Sequence, residues 1–171
     1  MKAWFFACAL LSAGGHCAGL AHLPAPGSAQ ESLDLAAYAC ARGAGEMLCR
    51  RPQSDAPSLY GVAPEASVLA LRAGRLARVS ISFDEGRFDD VRGAMRDELG
   101  PGEAGSEWLK AGMGGSFANR YEIWRQDGRV WLLEQYFERV ARSGLSIMSE
   151  EEFGRLQAAR QQQRVRGARD L

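Results

Sequence analysis

The chain has 171 residues with 21 basic and 21 acidic side chains, so its formal net charge at neutral pH is zero. A balanced charge gives no general reason to expect nucleic acid or an anionic membrane as a partner. The length is that of one domain of ordinary size once an export signal has been removed.

The N-terminus has the composition of an export signal. Lys2 supplies a positive start, and an almost unbroken apolar run follows from residue 4 to residue 13. That run is shorter than the ~20 residues needed to span a bilayer. We therefore predict a cleaved signal peptide over residues 1–21 and no stable membrane insertion afterwards. Small residues favour cleavage after Ala21 or after Ala29, and the expected location is periplasmic or secreted.

Removal of the signal leaves two of the four cysteines. Cys8 and Cys17 belong to the signal, whereas Cys40 and Cys49 stay in the exported chain. Two cysteines in an exported chain most simply form one disulfide. Closing so short a loop would contribute roughly 2–3 kcal/mol in the chain-entropy treatment. A lipid anchor at Cys17 is disfavoured, because the residues before it depart from the lipoprotein pattern at two places.

The segment that carries the two cysteines fits two local structures. As a helix, it is capped by Ser28 and ends at a glycine. As a hairpin, it pairs residues 38–42 with residues 47–51 and sets Cys40 directly opposite Cys49. Either structure brings the cysteines together, and of the two we favour the helix.

Apolar residues then recur at every second position in "SVLALRAGRLARVSISF", which predicts a hairpin. Ala73–Gly74 is a plausible two-residue turn. Pairing across it places Val68 opposite Val79, and Ile81 and Phe83 continue the same apolar face.

The spacing of the apolar residues next changes to that of a helix. Asp84 can cap it, and Gly100 ends it. Its apolar residues fall on one stripe, at spacings of three, four and four: Phe88, Val91, Met95 and Leu99.

A loop from Gly100 to Gly115 is expected before the aromatic strands. Asp127–Gly128 is a strong hairpin signal, and pairing across it places Trp124 opposite Trp131. A short strand, "GLSIMS", follows. Ser149 then caps a polar helix anchored by Phe153 and Leu156.

The predicted fold is α+β, with one domain over residues 30–165 and a frayed tail over residues 166–171. An antiparallel sheet of about five strands, in the order β-β-α-β-β-β-α, has its helices on one face. A disulfide-bearing N-terminal segment precedes it.

The hairpin, the helix ending in "LG" and the aromatic strands resemble small exported proteins of Gram-negative bacteria that carry no assigned function. The resemblance covers roughly residues 58 to 150. It is one of pattern, and it implies no particular activity.

Two features argue against common chemistries. Gly112–Met113–Gly114–Gly115 leads into a strand rather than a helix, so we interpret it as a turn and not as a phosphate loop. The two histidines, His16 and His22, lie in the signal or next to it. Serine–histidine triads, cysteine–histidine dyads and histidine metal sites are therefore disfavoured. We expect no cofactor and no metal.

Glu134 is the best candidate for a catalytic residue. It lies opposite Tyr121 on an apolar strand, where a carboxyl group can act as a general acid. Glu122 is a partner carboxylate only if the sheet curls. An ion pair between Glu134 and an arginine such as Arg125 or Arg139 is the favoured alternative to catalysis.

The Trp124–Trp131 pair is the most specific feature that remains. Burial in the core is the favoured interpretation. We expect the C-terminal helix, through Phe153 and Leu156, to cover the pair weakly, so that its opening would expose a binding face of Trp124, Trp131, Leu133 and Phe137. The arginine-rich C-terminus is interpreted as a solvated helix face, without the aromatic residues of a nucleic-acid site.

These observations favour a non-catalytic interaction domain, either an inhibitor or an envelope assembly or accessory factor. Its expected partner is another envelope or secreted protein, or a glycan, and not nucleic acid. The alternative is a carboxylate-dependent hydrolase that acts on cell-wall glycan through Glu134.

Overall fold

The computed structural model describes residues 19–43, 45–52, 57–110 and 115–169, and at 52, 110 and 163–169 it describes the backbone alone. Eight antiparallel strands form one sheet in the order β1-β2-β3-β4-β8-β7-β6-β5. The strands are β1 (Ala39–Gly43), β2 (Glu46–Pro52), β3 (Ala66–Arg72), β4 (Arg75–Asp84), β5 (Glu103–Lys110), β6 (Ser116–Gln126), β7 (Arg129–Glu134) and β8 (Arg142–Ser149). Helix α1 (Phe88–Leu99) connects β4 to β5, and helix α2 (Glu150–Arg169) follows β8.

The prediction of about five strands is wrong, and the cysteine segment is one reason. It is a hairpin, not a helix, and β1 and β2 belong to the sheet instead of preceding it. Strand β2 supplies the backbone partners that the outer edge of β3 needs. Cys49 of β2 lies opposite Leu69 and is fully buried. The predicted disulfide is confirmed: Cys40 and Cys49 face each other and are joined by an S–S bond of 2.05 Å.

Strand β5 is the other reason. It lies within the predicted loop of residues 100–115 and pairs along its whole length with β6. Its sequence, "EAGSEWLK", lacks the apolar alternation of a half-buried strand because β5 is at the edge of the sheet. The predicted glycine turn falls at residues 112–115, of which 112–114 lie outside the described residues.

The β3–β4 hairpin has the predicted turn but not the predicted register. Arg72 pairs with Arg75, whereas Val79 lies opposite Leu69 and not opposite Val68. A β-bulge inserts Ala77 between the two halves of the ladder. In a regular strand, residues three apart point to opposite faces. The bulge instead places Leu76 on the same buried face as Val79.

The β6–β7 hairpin and helix α1 agree with the predictions, except that Asp84 caps the 3₁₀ turn Glu85–Arg87 in front of α1 and not α1 itself. Every predicted pair of the β6–β7 hairpin is confirmed, including Trp124 with Trp131. Asp127 and Gly128 have φ values of 51° and 71°, which a two-residue turn with both central residues left-handed requires. The predicted stripe of α1 faces the core, and Gly100, at φ 80°, ends the helix.

The two helices lie on opposite faces of the sheet, so the prediction that both cover one face is wrong. Phe88 of α1 packs in a cluster that contains Trp131, whereas Phe153 of α2 packs in a second cluster that contains Val130. Neighbouring residues of a strand point to opposite faces. Strands β6 to β8 are apolar on both faces, and each face therefore needs its own cover. We call the two sides the α1 face and the α2 face.

Residues 19–38 form a strap across the α1 face. The backbone N–H of Gly27 donates to the carbonyl of Leu76, and the N–H of Leu76 donates to the carbonyl of Ser28. Leu20 is buried, and Leu23, Leu33 and Leu35 of this N-terminal strap pack against the same core. The strap and α1 together cover the α1 face.

Candidate functional site

A groove of about 580 Å³ lies on the α2 face. Residues of β4 to β8 form its floor, α2 forms one wall, and the loop after β7 forms the other. Carboxylates, guanidinium groups and aromatic rings all line this α2 groove, among them Glu107, Glu134, Tyr136, Phe137, Glu138 and Arg160.

Glu134 lies at the last position of β7 and is only 4% exposed. Its Oε2 accepts a hydrogen bond from the Arg160 guanidinium at 2.9 Å. The carboxylate thus pairs with an arginine, but with neither Arg125 nor Arg139, which pair with Glu103 and Glu65. The charge-assisted hydrogen bond from Arg160 engages this oxygen. A general acid instead needs a protonated carboxyl group that is free to reach the substrate.

Glu122 cannot be the second carboxylate of the same site. It lies opposite Leu133, as predicted, and so faces the α1 side. The guanidinium groups of Arg92 and Arg96 donate to it at 2.6 and 2.8 Å, and the Gly102 N–H donates at 3.0 Å. Burial opposes ionisation, but these donors outweigh burial and hold the pKa of Glu122 below its usual range. The sheet therefore separates Glu122 from Glu134.

The wall of the α2 groove opposite the helix is held rigidly. The Asn119 side chain accepts the N–H of Tyr136 at 2.8 Å and donates to the carbonyl of Tyr136 at 3.3 Å. The Tyr136 ring meets Phe117 edge-to-face at 5.0 Å. These contacts fix an aromatic side chain at the mouth of the groove without using its hydroxyl group.

Helix α2 is fixed at its N-terminus by a buried carboxylate. Ser149 caps the helix, accepting the N–H of Glu152 at 3.2 Å. The Glu152 side chain accepts hydrogen bonds from Arg72 of β3 at 2.8 Å and from Arg155 at 2.9 Å. Burial raises the pKa of Glu152, and these arginines lower it by more, so the net shift is downward. Arg155 and Arg160 are thus engaged in ion pairs instead of forming a free basic surface.

The four residues of the predicted binding face do not share one surface. Trp124 and Trp131 are 4% and 7% exposed, and Leu133 is fully buried with them on the α1 face. The Phe137 ring lies on the α2 face, over Gly144, where any larger side chain would collide with it. The prediction that α2 covers the tryptophan pair is wrong, because Phe153 packs in the other cluster.

Trp108 is an exposed aromatic residue that sequence reasoning missed. It lies on β5 and is 73% exposed. It was missed because residues 100–115 were predicted to be a loop. Its neighbours Glu107 and Leu109 point toward the α2 groove. Strand β5 pairs only with β6 among the described strands and is therefore an edge strand of the sheet.

The described part of the chain contains no group of three or more histidine, cysteine, aspartate or glutamate side chains placed to hold a metal ion. No helix within that part is long and apolar enough to cross a membrane. Comparisons with protein-family models, with curated proteins and with solved structures find no match. The α2 groove and the β5 edge beside it are the candidate functional site.

Proposed function

We propose that the protein is an exported, non-catalytic interaction domain that binds an extended segment of another envelope or secreted protein along β5. One observation carries this proposal: Trp108 is 73% exposed on an edge strand of eight residues. Exposed aromatic residues are typical anchors of protein interfaces. An edge strand is where a further strand can be added to a sheet through backbone hydrogen bonds.

The α2 groove would then receive side chains of the bound segment. A strand added to β5 sends alternate side chains to the two faces of the sheet. One set meets Trp108, and the other set meets the groove beside Glu107 and Leu109. The mixed charges of the groove suit a polar peptide better than a purely apolar one.

The disulfide indicates an oxidising compartment. Export by the signal over residues 1–21 is part of the proposal, and the strap favours one of the two cleavage sites. Cleavage after Ala29 would remove Ser28, whose carbonyl accepts the Leu76 N–H, and Leu23, which packs on the core. Cleavage after Ala21 would keep both contacts.

Hydrolysis of cell-wall glycan through Glu134 is the second candidate. It is favoured by the glutamates that line the α2 groove, Glu107, Glu134 and Glu138. The bond from Arg160 to Glu134 argues against it, as does the position of Glu122 on the other face.

The two functions are separated with tagged mature protein and periplasmic extract. We expect a partner protein to be retained by the wild type and lost by Trp108→Glu. The matched control is Val140→Glu, since Val140 is also an exposed apolar residue but lies in the loop before β8. Equal retention by both variants would contradict binding along β5. Degradation of purified peptidoglycan by the wild type, abolished in Glu134→Gln, would replace the interaction domain with the hydrolase.

A further inference from the structure

A second cavity, of about 260 Å³, lies under the N-terminal strap on the α1 face. Strands β2 to β4 form its floor, and apolar side chains make up most of its lining. Leu69, Val79 and Ile81 come from the sheet, whereas Leu23, Leu33 and Tyr38 come from the strap. This strap cavity is separate from the α2 groove, because the sheet lies between them.

Arg51 is the unusual residue of the strap cavity. It extends from β2 opposite Ser67, and its guanidinium lies 5.8 Å from the centre of the Tyr38 ring. Its Nε is buried, and none of the described residues offers it a hydrogen-bond acceptor. A buried N–H without an acceptor is costly and rare in folded proteins. An acceptor supplied by a ligand would satisfy it.

The other charged groups limit what that ligand can be. His22 and Asp34 also line the cavity. Asp34 is exposed, and its carboxylate already accepts the N–H of Ala36 at 3.2 Å. With Arg51 as the one permanent cation among the described lining residues, the site suits a single negative charge. A carboxylate matches the guanidinium geometry, since it accepts two parallel hydrogen bonds from it.

The size of the cavity sets the length of the apolar part. At about 30 Å³ for each water-sized group, the cavity holds about eight or nine such groups. We propose that the strap cavity binds a small amphiphile with one carboxylate and an apolar chain of about five to seven carbons. Arg51 binds the carboxylate, and the apolar residues of the strap and the sheet enclose the chain.

Calorimetric titration of the full mature protein with straight-chain fatty acids tests this assignment. Octanoate should bind at one site, and affinity should rise about fourfold for each methylene between hexanoate and octanoate. Methyl octanoate should bind about tenfold more weakly or worse, because it cannot form the charged bond to Arg51. Absence of octanoate binding, or equal binding of the acid and the ester, would overturn the assignment.

Substitutions locate the site. Arg51→Met should weaken octanoate about tenfold or more and abolish the preference for the acid over the ester. Arg50→Met is the matched control, because Arg50 is the neighbouring arginine on the opposite face and is exposed. Loss of affinity in both variants alike, or in neither, would contradict the role of Arg51.

Three further measurements keep the test independent of folding and of the proposed function. Leu33→Trp fills the cavity from the strap and keeps the Arg51 side chain, and it should block octanoate. The Arg51 Nε–H resonance should shift on titration of the wild type. Trp108→Glu should bind octanoate normally, so failure of the β5 proposal and failure of this one give different results.

Discussion

Arginine side chains connect the helices to the sheet. Glu122 of β6 binds Arg92 and Arg96 of α1, and Glu152 of α2 binds Arg72 of β3. A guanidinium group donates to a carboxylate in a fixed planar geometry and loses hydration more easily than an ammonium group. One buried carboxylate on each side of the sheet therefore fixes the position of one helix.

Replacing Glu122 with glutamine should lower the free energy of unfolding by about 2–3 kcal/mol. Removing one partner of a buried ion pair costs about 3–5 kcal/mol, and the cost is reduced here because Arg92 and Arg96 still reach water. Urea unfolding monitored by circular dichroism measures the change. Glu103→Gln is the control, since its pair with Arg125 is at the surface and should contribute about 0.5 kcal/mol or less. Equal effects of the two variants would show that burial of Glu122 does not matter.

The same carboxylates should make the fold sensitive to acid. The pKa values of Glu65, Glu122 and Glu152 are all lowered in the folded chain, with arginine hydrogen bonds outweighing the opposing effect of burial. Their contribution to stability is therefore complete above the ordinary glutamate pKa of 4.5 and is lost as the pH falls through the lowered values. Unfolding measured at pH 7, 5 and 3 should show most of the loss below pH 5. Glu122→Gln should flatten this dependence, and an unchanged slope would contradict the assignment.

At the scale of elements, the disulfide joins an exposed edge strand to the sheet. All five residues of β1 are exposed, whereas Cys49 of β2 is buried. Reduction should therefore release β1 locally, with most of the roughly 2–3 kcal/mol assigned to the bridge appearing there. Hydrogen exchange after reduction should accelerate in residues 39–43 and remain slow in β3 and β4. Equal acceleration in all four strands would indicate that the bridge stabilises the whole sheet.

Helix α2 should contribute to stability without shielding the tryptophans. Phe153 packs on Val130 and Leu132, so Phe153→Ala should cost about 2–3 kcal/mol, below the full core value because it lies near the surface. Acrylamide quenching of Trp124 and Trp131 should not change, because they lie on the α1 face. The measurement is made in a Trp108→Phe background, so that the exposed indole of Trp108 does not contribute to the quenching. Increased quenching would restore the prediction that α2 covers the pair.

What the sequence predicts well is local. The turn at Asp127–Gly128 and the stripe of α1 follow from backbone preference and period, which act over a few residues. The bulge at Ala77 and strand β5 could not be predicted, because no pattern within the strands indicates them: Ala77 interrupts an alternation that looks regular, and β5 lacks apolar alternation. The α2 groove was missed for the same reason: the partner of Glu134 is a helical arginine that no strand pattern indicates.

For the whole molecule, the order of elements is repeated. Strands β1 to β4 form a meander that ends in α1, and strands β5 to β8 form a second meander that ends in α2. The last strand of each meander lies in the middle of the sheet, where β4 pairs with β8. Each half thus supplies one central strand and one edge of the sheet.

This arrangement determines when the chain can fold during its synthesis. Val79 and Ile81 pair with Ile147 and Leu145, so one edge of β4 has no partner until β8 has also been synthesised. An apolar strand with a free edge is a template for aggregation. For the export proposed above, in which the chain would cross a membrane unfolded, this delay is an advantage, because the first half cannot complete its sheet before translocation.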